Sequence, residues 1–319
     1  MLSYYRMVVV KNCSPLSVSD PSSDTKLSCI PKHIIPKIAE ALDINPKGPL
    51  TTVKKRIDDE LKKSNCSGEW CYEFDMRIKE GLTDEEYEEL TESFRPIMPD
   101  KWLQNETTWL NTSDIDNALQ QYEESHPEFK YYNANPIDFD KKDNYGQCSV
   151  SDLCNLDLVK DALDGKPLPI GRKIRSDELK KTKFGIVFNV DPSTKGGQHW
   201  FSLFVDLVGK NLRGRPGIYH FDSVGRKDKD DISNEVNALI TKIYNDAHKL
   251  GITLEVFMND KNYQKKNTEC GVYCIHFLDY MLCGGTKGKS GSFLKYIRKR
   301  LSDKDMLSFR DKFFIKPKK

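Results

Sequence analysis

Cys270 stands in Asn267-Thr268-Glu269-Cys270-Gly271-Val272-Tyr273, where an apolar run that reads as a helix through Leu282 begins. A thiol at a helix start meets the positive end of the helix dipole and unpaired backbone N–H groups, and both favour the thiolate. A thiolate that attacks a carbonyl needs a base, a group that orients the base, and a donor for the oxyanion. Candidates for all three lie upstream. His199 heads an apolar strand beside Trp200, a place that holds an imidazole rigidly. Asp222 ends the next strand, after Tyr219-His220-Phe221. If these strands are neighbours, its carboxylate reaches the distal imidazole nitrogen and fixes the tautomer. Gln264 precedes Cys270 by six positions in a polar loop, and its amide can join the Cys270 N–H as oxyanion donor. Taken singly, each residue has an ordinary reading: Cys270 as a buried thiol, His199 as a strand histidine, Trp200 as core. Cys274, one turn later on the apolar face, reads as such a buried cysteine. His220 shares a strand face with Asp222 and ranks a distant second as base.

The elements around these residues divide the chain in two. Ile34, Ile35, Ile38, Ala39 and Leu42 recur at helical spacing, and Asn45-Pro46-Lys47-Gly48-Pro49 breaks the pattern. Thr51 and Thr52 are candidate caps for a second helix towards Leu61, and a third, acidic helix starts near Thr83-Asp84-Glu85. Residues 13–25, rich in Ser, Pro and Asp, read as a flexible lead-in, and Met7-Val8-Val9-Val10 as a short strand or loose end. Two prolines in 96–101 suggest a hinge. These signals place a helical arm domain at 1–97 and a second domain at 98–319. In the second, Ser113 with Asp116 is a candidate N-cap for a helix carrying Ile115, Leu119 and Tyr122. Strands are expected over Phe184–Val190, His199–Leu207, Gly217–Phe221 and Leu254–Met258. An amphipathic helix with Val236, Leu239, Ile240, Ile243 and Tyr244 separates the last two. Strands and helices mix without a regular repeat, which predicts an α+β fold.

Composition narrows the class. With 38% hydrophobic and 31% charged residues, the 319-residue chain reads as globular rather than disordered. No apolar run approaches the roughly 20 residues of a membrane helix, and the N-terminal apolar stretch is too short for a signal-peptide core, so a protein that is not secreted is expected. A net charge of +2 names no partner. Basic residues cluster at Lys54-Lys55-Arg56, from Lys287 to Arg300 and from Lys316 to Lys319. They read mainly as solvated surface, with weak DNA contact as a secondary expectation. Nine cysteines without a signal peptide suggest reduced thiols in a cytosol-like compartment. Cys66 with Cys71, and Cys148 with Cys154, are spaced too widely for zinc knuckles. No metal or cofactor is expected.

The order of these residues carries a resemblance. His-Trp at a strand start, Asp at the next strand end, then Gln six residues before Cys-Gly at a helix start resembles the Ulp1/adenain clan of cysteine proteases. Within that clan the likeness is nearest to the African swine fever virus polyprotein-processing protease and its giant-virus relatives. It rests on Asn189-Val190-Asp191-Pro192-Ser193-Thr194 leading into Gly197-Gln198-His199-Trp200, on Phe204-Val205-Asp206, and on Thr268-Glu269-Cys270-Gly271, with a fainter echo over 303–310. It covers about residues 109–315 and implies a papain-like, Ulp1-like core, a central mixed sheet flanked by helices, with a helical arm before it. It implies Cys270 as nucleophile, His199 as base, Asp222 as orienting group, Gln264 as oxyanion donor, and Trp200 as the tryptophan that narrows the channel around a Gly-Gly substrate end. Asp222 stands where the African swine fever virus enzyme is expected to carry Asn, and either side chain can accept from the imidazole. The implied function is a thiol endopeptidase that processes viral structural polyproteins after Gly-Gly, in the virion and the host cytoplasm (the virus factory). The alternatives are a SUMO or ubiquitin-like isopeptidase acting on host conjugates, and a non-catalytic virion nucleic-acid-binding or scaffold protein.

Overall fold

The computed structural model describes residues 12–19, 24, 27–66, 68–169, 174–226, 232–284 and 291–316. Two compact units divide the chain, Met1–Gln104 with Asp311–Lys319, and Asn105–Arg310.

The first unit is helical: α1 (Pro15–Ser19), α2 (Ile34–Ala41), α3 (Leu50–Leu61), α4 (Met76–Gly81), α5 (Asp84–Glu92) and α6 (Asp100–Gln104). Its core forms where helical spacing aligns apolar residues. Ile34, Ile35, Ile38 and Ala39 of α2 are buried with Val53, Ile57 and Leu61 of α3. Thr83 caps α5 in a capping box with Glu86, at the helix start expected near Thr83-Asp84-Glu85. Thr51 and Thr52 do not cap α3, because the helix already starts at Leu50, after Pro49. The described part of 13–25 is anchored rather than flexible. Cys13 is disulfide-bonded to Cys29, and the Ser14 N–H and Ser17 hydroxyl donate to the Ser93 carbonyl at 2.9 and 3.1 Å. The segment 96–101 is no hinge either. Ile97 pairs with Ile315, the Ile315 N–H donates to Pro96 O at 2.9 Å, and Phe314 packs edge-on against Trp102. This unit therefore runs to Gln104 and takes in residues 311–319, where the sequence alone places the break at 97/98. A pairing across some 200 residues leaves no local signature.

Lys54 is spent on Asp58 and Glu69, at 2.7 and 2.9 Å, and Arg56 on the carbonyls of Asn45 and Lys47, so two of the three cations in that cluster serve the fold. Residues 7–10 and 317–319, and part of the 287–300 cluster, lie outside the described residues. The expectation of reduced thiols needs correction for six cysteines, which pair as Cys13–Cys29, Cys66–Cys71 and Cys148–Cys154. Cys270, Cys274 and Cys283 stand outside these three disulfides. Among the described residues no helix is long and apolar enough to cross a membrane.

The second unit is α+β. In chain order it holds α7 (Thr112–Ser125), β1 (Phe129–Asn135), α8 (Leu158–Ala162), β2 (Lys183–Asn189), β3 (Trp200–Asp206), β4 (Gly217–Asp222), α9 (Asn234–Lys249), β5 (Glu255–Met258), α10 (Cys270–Cys283), α11 (Phe293–Arg298) and α12 (Asp303–Phe313), inside which the division at Arg310 falls. The five strands form one mixed sheet in sequence order, parallel at the two outer pairs and antiparallel at the inner ones. Strands β2, β3 and β4 are buried along their whole length, which is why they read as continuous apolar runs rather than alternating ones. Phe201, Leu203 and Val205 join the core made by α8 and α9, while α10 packs against β3 and β4. α10 is itself buried from Cys270 to Leu282, so its apolar character is not confined to a stripe. Tyr244 of α9 is not part of the buried face and lies 38% exposed.

Candidate active site

Strand register brings the acid to the base. In the β3–β4 pair Phe201 lies opposite Asp222, so His199, two residues before Phe201, sits diagonally from the strand-terminal carboxylate. His199 Nε2 lies 2.7 Å from Asp222 Oδ1. Cys270 also acts on this ring, its charge and hydrogen bonding raising the affinity of His199 for a proton. The turn before His199 is fixed by side chains. Asn189 Oδ1 accepts from the N–H groups of Asp191 and Gln198, and Asp138 accepts from the backbone and hydroxyl of Ser193. Gly197 is required here: its φ is +78°, and a Cβ would lie 2.6 Å from the Asn189 amide. These bonds explain why 189–200 forms a compact motif in the sequence.

Burial lowers the affinity of His199 for a proton, but the bonds and charges of Asp222 and Cys270 outweigh it and raise its pKa to about 9. For Asp222, burial pushes the carboxyl up, yet the hydrogen bond and charge of His199, then Arg226 and the Val224 N–H, hold it below its ordinary value. Both signs favour the imidazolium–carboxylate pair. Its stabilising effect is complete below the ordinary histidine value and fades as pH rises through about 9. On the carboxylate side it is present above the ordinary value and fades as pH falls through the lowered one. Asp222→Asn removes the charge but keeps an acceptor. The alkaline limb of kcat/KM, set by loss of the His199 proton, should move down from near pH 9 by about one unit or more. An unmoved limb in a pH–rate profile would show that Asp222 does not govern His199.

Cys270 is the first residue of α10, and the Tyr273 N–H closes the first turn on Glu269 O at 2.9 Å. The Cys270 N–H, at N1, has no intrahelical acceptor. Glu269 is held in turn by a buried bidentate pair with Arg310, at 2.9 and 3.1 Å. Gln264 is buried in the loop before α10, its Oε1 accepting from the Ser223 hydroxyl. Trp200 is 8% exposed and donates its ring N–H to Leu110 O at 3.1 Å, while Trp109, beside Leu110, is 41% exposed. Cys274 is buried, with its pKa pushed well up by burial. His220 is sealed against Phe201, and burial lowers its pKa to about 4, so its ring is closed off from any substrate. Among the described residues no group of three or more His, Cys, Asp or Glu is placed to hold a metal ion.

Three polar residues around the site escape sequence reasoning. Arg226 donates to Asp222 Oδ2 at 2.8 Å, Asn259 bonds both the N–H and the carbonyl of Asp222, and Ser223 bonds Gln264. Only the closeness of Ser223 and Arg226 to Asp222 in sequence hints at them. The N-cap of α7, near Leu110, is Asn111, in a capping box with Asp114, and not Ser113. The run Asn-Thr-Ser-Asp offers four cap residues, and the side chain that reaches an open N–H takes the role.

An imidazole between a carboxylate and a thiol at a helix start can deprotonate the thiol and return the proton to a leaving group. Residues 183–318 match the Ulp1 protease family, C-terminal catalytic domain. The chain carries an Ulp1-family protease domain. It is a cysteine protease. A thiol protease of Acanthamoeba polyphaga mimivirus is 29% identical over 241 residues, covering 76% of this chain and 68% of that protein. The SUMO-1 cysteine protease of African swine fever virus is 27% identical over 218 residues, covering 66% and 69%. A crystal structure of the African swine fever virus protease shares the fold, with a TM-score of 0.62 at 21% identity over 96% of this chain and 97% of that one.

Proposed function

We propose that this Ulp1-family protease is an endopeptidase that processes viral structural polyproteins after Gly-Gly, in the virion and the host cytoplasm where virions mature. The observation that carries the catalytic part is the 2.7 Å bond from His199 Nε2 to Asp222, with Cys270, the first residue of α10, near enough to raise the pKa of that imidazole. Cys270 sulfur attacks the scissile carbonyl as the thiolate partner of the His199 imidazolium, which already holds the proton. The oxyanion is met by Gln264 Nε2 and the Cys270 N–H. His199 then protonates the leaving amine, and activates the water that releases the acyl group. Asp222 keeps the ring oriented and its positive form stable throughout. Trp200, anchored by Leu110 beside the base, walls the path of the residues before the scissile bond, and glycine fits there because it has no Cβ. The relatives in a mimivirus and in African swine fever virus support the viral setting.

A second reading has one observation behind it, the SUMO-1 protease name of the African swine fever virus relative: removal of a ubiquitin-like protein from host conjugates. Both end at Gly-Gly, so the partner separates them. Purified enzyme is expected to cut a peptide carrying Gly-Gly-X, to lose at least about 10²-fold in kcat/KM when the glycine at the cut is alanine, and to leave a ubiquitin-like probe with a C-terminal warhead unlabelled. Labelling of the probe with no peptide cleavage would reverse the choice.

A further inference from the structure

A carboxamide has an accepting and a donating end, and only the Nε2 end stabilises an oxyanion, while Oε1 would repel it. Gln264 lies in the stretch 259–269, which has no helix or strand to hold it, and yet is buried. Ser223 decides which end faces where. Its hydroxyl, on a residue 1% exposed, donates to Gln264 Oε1 at 2.6 Å. Its carbonyl accepts from the N–H groups of Tyr263 and Gln264 at 2.8 and 3.0 Å. Ser223 directly follows Asp222, whose N–H donates to Asn259 Oδ1 at 2.8 Å and whose carbonyl accepts from Asn259 Nδ2 at 2.7 Å. The loop that carries Gln264 is thus bonded, backbone and side chain, to the strand end that carries the acid.

We propose that Ser223 is a positioning residue for peptide cleavage: its hydroxyl occupies Gln264 Oε1 and so turns Nε2 towards the oxyanion. The same bond polarises the amide and strengthens its donating end. This rests on Gln264 as oxyanion donor. Without the hydroxyl the amide rotates, and a fraction of molecules present the wrong end or none. The loss falls on the transition state, where the negative oxygen forms, and not on the bound substrate.

The test is a cycle of Ser223→Ala, Gln264→Ala and the double variant, with kcat and KM measured separately on one peptide. Gln264→Ala is expected to lower kcat by about 10²-fold. Ser223→Ala should lower it by about 10-fold with KM nearly unchanged, and should cost nothing further once Gln264 is alanine. Equal losses from Ser223→Ala in both backgrounds would mark a structural role and overturn the proposal. Full kcat in Ser223→Ala with an impaired Gln264→Ala overturns it while sparing the oxyanion reading, and full kcat in Gln264→Ala overturns both. Should Ser223→Ala fail to fold, Ser223→Thr and Ser223→Val add the same volume and differ in the hydroxyl. Equal kcat in that pair refutes the proposal, and a higher kcat for threonine supports it.

Discussion

Cys270→Ala is expected to lose cleavage by at least about 10⁴-fold, because no other group at the site can form the acyl intermediate and what remains is binding and oxyanion stabilisation. The fold should survive. Residue 270 keeps its place as the first residue of α10, whose buried side chains run on to Leu282, so melting should shift by only a few degrees. Cys274→Ala is the contrast within the same helix. Its thiol is buried and its pKa is pushed well up by burial, so it is a core residue and its removal should leave cleavage in place. Alkylation by iodoacetamide should follow the same division, with Cys270 modified and enzyme lost together. Wild-type cleavage by Cys270→Ala would end the assignment of the nucleophile.

Arg310→Met carries the largest expected effect on stability. Glu269 and Arg310 are 2% and 3% exposed in their side chains and bond through both carboxylate oxygens. Removing the cation leaves a carboxylate in the interior, which costs about 3–5 kcal/mol. Replacing both partners by apolar residues, as in Glu269→Leu with Arg310→Met, should recover most of that loss, since two buried charges also shed their desolvation cost. Urea denaturation of the two single variants and the double variant measures this, and a single-variant loss below about 1 kcal/mol would show that the pair is not what holds this corner. Recovery of stability need not bring recovery of rate. Glu269 immediately precedes the nucleophile and its carbonyl receives the first turn of α10, so the double variant tests whether the ion pair also sets where the sulfur points.

The second unit was legible wherever local pattern and burial agree. β2, β3 and β4 are buried throughout, so their β-branched and aromatic runs stand out, and each is found within a residue or two of its expected ends. β1 was not foreseen. Phe129-Lys130-Tyr131-Tyr132-Asn133-Ala134-Asn135 carries two asparagines, one of them at φ +58°, and its parallel partner β2 lies some 50 residues on. Parallel pairing leaves no hairpin signal between the two. The order His199, Asp222, Gln264, Cys270 was readable because each residue sits at the end of an element or in the loop next to one. The disulfides were not, since nothing in a spacing of five, six or sixteen residues distinguishes a bonded pair from two thiols. Arg226 and Ser223 act through side chains that follow a strand end, where composition says only that the chain turns.

The pairing of Ile97 with Ile315 has a consequence for synthesis. In covalent terms residues 105–310 are an insertion between two parts of the helical unit. On the ribosome every residue of the inserted unit emerges before Phe314 and Ile315 do. The polypeptide that carries the thiol and its base is therefore complete while the helical unit still lacks the segment that bonds Pro96 and Met98. A nascent chain stalled near residue 310 would hold all four proposed catalytic residues and an unfinished helical unit.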